Sequence, residues 1–331
     1  MSTIPVTTLT PAAAAARPGR QRALLIEYSM PLAYAVLVAV LAATVDNFFS
    51  VANIVGLMLS VAQIGMVACT MMLCLASRDF DLSIGSTIAF AGVLGAMVLE
   101  RTNSVTLAVV AGLGAGALIG AGNGVLIAYL RVNALIATLA TMLMVRGLAF
   151  IASKGQAVGI NSDAFIDFGD ARLAGIPLPV LVCGICFLVF GVLLNHTVFG
   201  RNTLAIGGNP EAARLAGVKV EKLRVWIFLL QGLVTGLAGL ILASRITSGQ
   251  PNAAQGFELD VISACVLGGV SLQGGKARIF GVLIGVLIMG TVENVMNLLD
   301  VDAFYQYLMR GVILLAAVLL DQLKTRGERR H

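Results

Sequence analysis

Charge is scarce in this chain. Only 12% of its 331 residues are Asp, Glu, Lys or Arg, against about 25% in an ordinary soluble domain. Hydrophobic residues make up 58%, and the mean hydropathy is +0.94. A soluble globule is excluded, and the fold class that remains is an all-α, polytopic membrane protein. At about 20 residues per crossing, the length allows roughly eight to ten spans and no soluble catalytic domain. Histidine is nearly absent: His196 and His331 stand too far apart to act together. Five cysteines (Cys69, Cys74, Cys183, Cys186 and Cys265) all fall inside apolar runs. Cys183 and Cys186 have the spacing of a redox or metal pair, but no histidine or second pair accompanies them, so they read as small packing residues. A nucleotide loop is missing too. The nearest stretch, VSLQGGKA at 270–277, lacks the first Gly and the Ser or Thr after Lys276 that a Walker A loop requires. No embedded acid and histidine chain announces a proton-driven pump.

What the chain does have is ten apolar runs, at 23–45, 54–76, 82–99, 105–130, 134–151, 178–195, 225–243, 259–272, 279–298 and 304–320. The eighth is too short to cross alone. Residues 1–22, rich in Pro, Ala and Thr with Arg17, Arg20 and Arg22, read as a disordered segment rather than a cleaved signal. A transmembrane domain over 23–322 and a basic tail over 323–331 follow. With both termini in the cytoplasm, only Arg101, Lys154, Arg172 and Arg245 of the 22 basic residues fall outside, and Arg146 and Arg310 fall within runs. The positive-inside rule favours this orientation.

The longest charge-rich insert is 196–222. Asn209 is a candidate N-cap, Pro210 suits the first helical position, and Glu211 suits the positive end of the helix dipole. Ala212, Leu215 and Ala216 line one face, and Gly217 is placed to end the helix. Two readings stand: a helix that a partner grips, or a solvated loop with one helical turn. In the fourth run, Gly112, Gly116, Gly120 and Gly124 recur every four residues, a close-packing ridge.

Two acidic segments, Arg78-Asp79-Phe80-Asp81-Leu82-Ser83 and Phe257-Glu258-Leu259-Asp260, each precede or open an apolar run. The runs point in opposite directions, as in an inverted repeat, although chance also yields so short a match. In an inverted repeat, Asp81 and Glu258 cap the two helices. Arg146, Glu293 and Arg310 need partners or a water-filled cavity within the bilayer. Glu293 and Arg310 are a candidate pair, either for packing or along a pathway. Asn294, Asn297 and Gln306 either join helices or hydrogen-bond a hydroxyl-bearing solute in passing.

At FGRNTLAIGGNPEAARLAGV (199–218) the chain resembles the cytoplasmic coupling segment of permease subunits of monosaccharide ABC importers. LASRDFDLSIGS, NALIATLATMLMVRGLAF, LASRITSGQP, ELDVISACVLGGVSLQGGKARI and GTVENVMNLL resemble further segments of the same family, in order. The resemblance covers nearly everything after residue 25 and implies about ten spans in a bacterial inner membrane. It implies a homodimeric pore, a cytoplasmic ATPase that binds ATP and Mg, and a periplasmic sugar-binding protein. No nucleic-acid partner and no resident cofactor or metal is expected. The coupling segment would comprise Gly200, Arg201, Gly207, Asn209, Glu211, Ala212, Ala213, Leu215 and Gly217. Asp81, Ser83, Arg146, Glu258, Glu293, Asn294, Asn297 and Arg310 are the candidates for the translocation pathway or gate. The expected cargo is a monosaccharide, L-arabinose ahead of ribose, xylose or galactose; an ion-gradient-driven sugar transporter is the alternative. Residues 219–222 match the family only in part, which leaves ATPase pairing open.

Overall fold

The computed structural model describes residues 20–329; residues 1–19 of the expected N-terminal segment lie outside the described residues. Thirteen helices occur among the described residues: α1 (Arg20–Thr44), α2 (Val51–Ala76), α3 (Ile84–Thr102), α4 (Val105–Ala128), α5 (Ala134–Ser153), α6 (Asp163–Asp170), α7 (Leu178–His196), α8 (Val198–Gly208), α9 (Pro210–Leu215), α10 (Val220–Arg245), α11 (Phe257–Leu267), α12 (Ile279–Leu298) and α13 (Ala303–Arg329). Each of the ten apolar runs is represented by a helix. Seven of them (α2, α3, α4, α5, α7, α10 and α12) are long and apolar enough to cross a membrane, and α1 and α13 carry the shorter apolar stretches Met30–Thr44 and Phe304–Leu319. The helices α6 and α8 were not foreseen, nor were the two-residue strands β1 (Val158–Gly159), β2 (Arg172–Leu173), β3 (Ile176–Pro177) and β4 (Ser248–Gly249). β1 pairs antiparallel with β4, and β2 with β3.

Helix starts follow local chemistry. Ser50, Ser104, Asn133 and Thr197 each accept a hydrogen bond from a first-turn backbone N–H of α2, α4, α5 and α8, which satisfies donors the helix itself cannot. Thr197 explains α8: its Oγ1 accepts from Gly200 N at 3.3 Å and restarts a helix directly after α7. An added Cβ at Gly200 would strike the Leu194 carbonyl, so this reversal needs glycine.

The axis of the bundle is α2. Every residue from Met66 to Ala76 has 0% exposure, with α7, α10, α11 and α12 packed around it. Such a helix can be apolar on all faces. Cys183 and Cys186 of α7 are free and buried in this core; a Cβ at Gly65 of α2 would sit 2.7 Å from Cys183 Sγ. They pack helices together, as read from the sequence.

The four-residue glycine ridge of α4 lies along α10. A Cβ at Gly116 or Gly120 would collide with the carbonyls of Gly232 or Phe228, and one at Gly124 would stand 2.8 Å from Val225 Cα. The two backbones touch, which only glycine permits and which gives helices in lipid their close contacts. We expect Gly120→Ala to cost about 3 kcal/mol of stability through this overpacking. Gly122→Ala, whose Cβ meets nothing within 4 Å, should be neutral or slightly stabilising. Thermal unfolding of the purified chains in detergent checks the pair, and equal melting temperatures would contradict it.

Candidate functional site

Two places gather the chemistry. The first is the end of the bundle that carries α8 and α9, here the loop end. Asn209 has extended backbone angles (φ −153°, ψ 105°), and its Oδ1 accepts from Glu211 N and Ala212 N, both at 3.1 Å. Pro210 is the first residue of α9. Gly217, at φ +87°, donates to Arg214 O, and Val218 N donates to Ala213 O. These two bonds form the left-handed closure that favours glycine. The capping expectations for Asn209, Pro210 and Gly217 are therefore met. The expected face is present but points outward: Ala212, Leu215 and Ala216 are exposed, Leu215 by 90%. Ala213 is the residue that anchors α9, in a cluster with Ile206 and Val220. The insert is also tighter than 196–222, because His196 ends α7 and Val220 starts α10.

Arg201 and Glu211 are exposed. Arg214 joins Glu211 Oε1 at 2.7 Å and also pairs with Glu221. Glu221, and then Glu211, push the Arg214 guanidinium further above its ordinary value. A cleft of about 650 Å³ opens beside α9, with Arg78, Asp79, Arg131, Glu211, Arg214 and Arg224 among its lining residues. Inside it Arg224 Nε meets Asp79 Oδ2 at 3.1 Å. An exposed apolar knob, a flanking ion-paired arginine and a charged cleft together form a surface that can hold a partner protein.

The second place is where α3 and α11 begin. A Cβ on Gly85, in the first turn of α3, would stand 2.6 Å from Glu258 Oε2 and strike the Ala254 carbonyl. From there α3 runs alongside α10, with Ile88 against Gly239, away from the loop end. α11 runs the other way, into residues 268–278, where Gly275 N donates to Ala76 O. The two helices thus meet head to head, the opposed geometry read from their sequence repeat. With 11 residues, α11 rises about 16 Å, roughly half a bilayer. The expected capping roles are corrected. The N-caps are Ser83 and Gly256, and Asp81 Oδ1 instead accepts from Ser83 N at 2.9 Å and Ser83 Oγ at 2.6 Å. Asn123 Nδ2 donates to Ser83 Oγ at 3.0 Å, and Thr141 Oγ1 to Asn123 Oδ1 at 2.6 Å, extending a buried chain across α4 and α5.

Arg146 of α5 donates from Nη1 to the carbonyls of Pro251 and Ala253, both at 2.7 Å, and so satisfies the irregular backbone ahead of α11. Arg310 does approach Glu293, at 3.9 Å, but its nearer partner is Asp260, at 3.2 Å from Nε. It also lies 5.6 Å from the Tyr307 ring centre. Asp260 Oδ1 and Asn294 Oδ1 are buried with no hydrogen-bond partner among the described residues. Asn297 Oδ1 accepts from Gln306 Nε2 at 3.0 Å, joining α12 to α13. Sequence reasoning therefore missed Asp260, Asn123, Thr141, Asp79 and Arg224 as site residues. Asp79 and Asp260 stood inside the acidic repeats, and Asn123 is the one polar residue in the glycine-rich stretch 111–124, so these three left a signal.

A helical bundle with head-to-head broken helices and a capped helix pair at one end has the build of a membrane transporter. The chain belongs to the family described as branched-chain amino acid transport system / permease component, matched over residues 53–318. It is 55% identical over 303 residues to the L-arabinose transport system permease protein AraH of Escherichia coli K12, covering 92% of each chain. Its identity to the L-arabinose ABC transporter permease protein AraH of Azospirillum brasilense is 54% over 299 residues, 90% of this chain and 88% of the relative. With the ribose import permease protein RbsC of E. coli K12 it shares 41% over 307 residues, 92% and 96% of the two chains. No solved structure matches the chain significantly.

Arg310→Met should cost about 3 kcal/mol by leaving Asp260 buried without its cation, and adding Asp260→Asn should recover part of that loss. Thermal unfolding of the two single variants and the double variant checks this; strictly additive effects would contradict direct pairing.

Proposed function

We propose that this chain is the membrane-spanning permease subunit of an ATP-driven, binding-protein-dependent importer of L-arabinose. The observation that carries the reading is the gap between 55% identity to an L-arabinose permease and 41% to a ribose permease at equal coverage of this chain. In this reading residues 23–322 form the permease domain of a bacterial inner-membrane protein, with both termini and the loop end in the cytoplasm. The excess of Lys and Arg at that end supports the orientation. Two copies enclose the pathway, a separate ATPase binds ATP and Mg²⁺ below, and a periplasmic sugar-binding protein docks above.

The residues divide the work accordingly. α8 and α9, with Gly200, Arg201, Gly207, Asn209, Glu211, Ala212, Ala213, Leu215 and Gly217, receive the motion of the ATPase. Leu215 fills an apolar socket on the ATPase, and Glu211 and Arg214 set its register. The meeting point of α3 and α11, with Asp81, Ser83, Arg146, Glu258, Asp260, Glu293, Asn294, Asn297 and Arg310, forms the gate. A site that binds sugar weakly there lets it leave.

Uptake of labelled L-arabinose tests the reading in cells expressing the chain with and without the ATPase and binding protein, with unlabelled ribose, xylose and galactose as competitors. ATPase-dependent uptake that only arabinose competes is the expected result. Another winning competitor would correct the sugar, and uptake indifferent to the ATPase would overturn the mechanism. In the same assay Leu215→Asp and Glu211→Lys should abolish uptake while the chain still inserts; normal uptake would remove the coupling role from α9.

A further inference from the structure

The VSLQGGKA stretch, too degenerate to cradle a nucleotide, has a different place in the fold. It forms the turn between α11 and α12, folded on itself by Ser271 N to Lys276 O at 3.1 Å and Gly274 N to Ser271 O at 3.0 Å. This turn presses its backbone directly on two other segments. Gly275 N donates to Ala76 O, the last residue of α2, at 2.9 Å. Gly274 and Gly275 hold φ +77° and +76°, and a Cβ on them would stand 2.9 Å from Gly207 O and 3.0 Å from Gly208 N. Both the backbone angle and the lack of space require glycine here.

One side chain bolts the three segments together. Arg78 stands at φ +68°, a conformation uncommon for a residue with a Cβ. From there its Nε donates to Gln273 O at 2.5 Å, and its Nη2 to Gly208 O at 3.2 Å. The end of α2, the end of α8 and the α11–α12 turn thus share one guanidinium. Arg78 also lines the charged cleft beside α9. Beyond the turn the contact stays rigid: a Cβ at Gly285 of α12 would strike the Ala264 carbonyl of α11, so these backbones touch as well.

We propose that this clasp, with Arg78 as its positioning residue, links the motion of α8 and α9 to α11, and so to the gate where α11 meets α3. The inference rests on the ATP-driven reading above. A displacement of α8 bears directly on the turn, because the backbones of Gly207 and Gly208 lie against those of Gly274 and Gly275. It passes to α11 as a shift of packed backbone.

The test uses the full transporter, with its ATPase and binding protein, in proteoliposomes, comparing the native chain with Arg78→Ala, Arg78→Lys and Gly275→Ala. Four readouts are taken: retention of the ATPase, ATP hydrolysis, sugar uptake, and labelling of a Gln255→Cys reporter by a maleimide with and without ATP. Gln255 is exposed just ahead of α11, whereas the five native cysteines are buried. We expect Arg78→Ala and Gly275→Ala to keep the ATPase bound and hydrolysing while uptake falls about tenfold, within the usual range of coupling between sites. The reporter should lose its ATP dependence, and Arg78→Lys should fall between. Unchanged uptake, loss of the ATPase from the complex, or lost uptake with ATP-dependent labelling intact would each overturn the clasp. Failure of the underlying reading looks different, since the native transporter itself would then show no ATP-dependent uptake.

Discussion

Every backbone N–H and C=O within a membrane must find a partner in the protein, because lipid offers none. Most of this chain meets that demand with whole helices. Two stretches do not: residues 77–83 ahead of α3 and 250–256 ahead of α11. There the price is met by side chains that lipid would otherwise exclude. Asp81 holds the Ser83 amide, Arg146 holds the carbonyls of Pro251 and Ala253, and Arg310 offsets Asp260 and Glu293. The costly groups thus cluster where the helices break, and the breaks put two helix N-termini at one point in the fold.

Rigidity surrounds those breaks. α2 is buried on all sides, and α4 and α10 touch through glycine along their length. Close-packed interiors transmit displacement rather than absorb it. In the proposed function, motion delivered at the loop end therefore passes on through packed backbone. The contrast with α9 is direct: one anchor, Ala213, faces inward, and Leu215 stands almost wholly exposed. An element so built is held firmly by the permease and presents a separate face to something else.

How much of this was legible in the sequence depended on the range of each interaction. The cap at Asn209 and the closure at Gly217 are made within a few residues, so residue type and order reveal them. The ten apolar runs and the glycine ridge are periodic and equally plain. α8 was hidden because its only cue is Thr197 directly behind α7, with glycines at both of its ends. The pair of Arg310 with Glu293 is present, but its nearer partner, Asp260, is not evident from the sequence, because adjacency in the chain favours α12 whereas packing brings α11 closer. Asp81 was read as a cap because it precedes a helix, but the chain folds it back on Ser83 instead. The contact of Arg78 with residues 208 and 273 joins segments far apart in sequence, and no local pattern announces such a meeting.

In the proposed function, sugar movement through this chain is obligatorily tied to ATP hydrolysis by a partner. The most direct measurement is the ratio of L-arabinose accumulated to ATP hydrolysed in proteoliposomes holding the chain, its ATPase and its binding protein, with and without a protonophore. A fixed ratio that the protonophore leaves unchanged, with no accumulation without ATP, is the expected result. Accumulation driven by an ion gradient in the absence of ATP would contradict it.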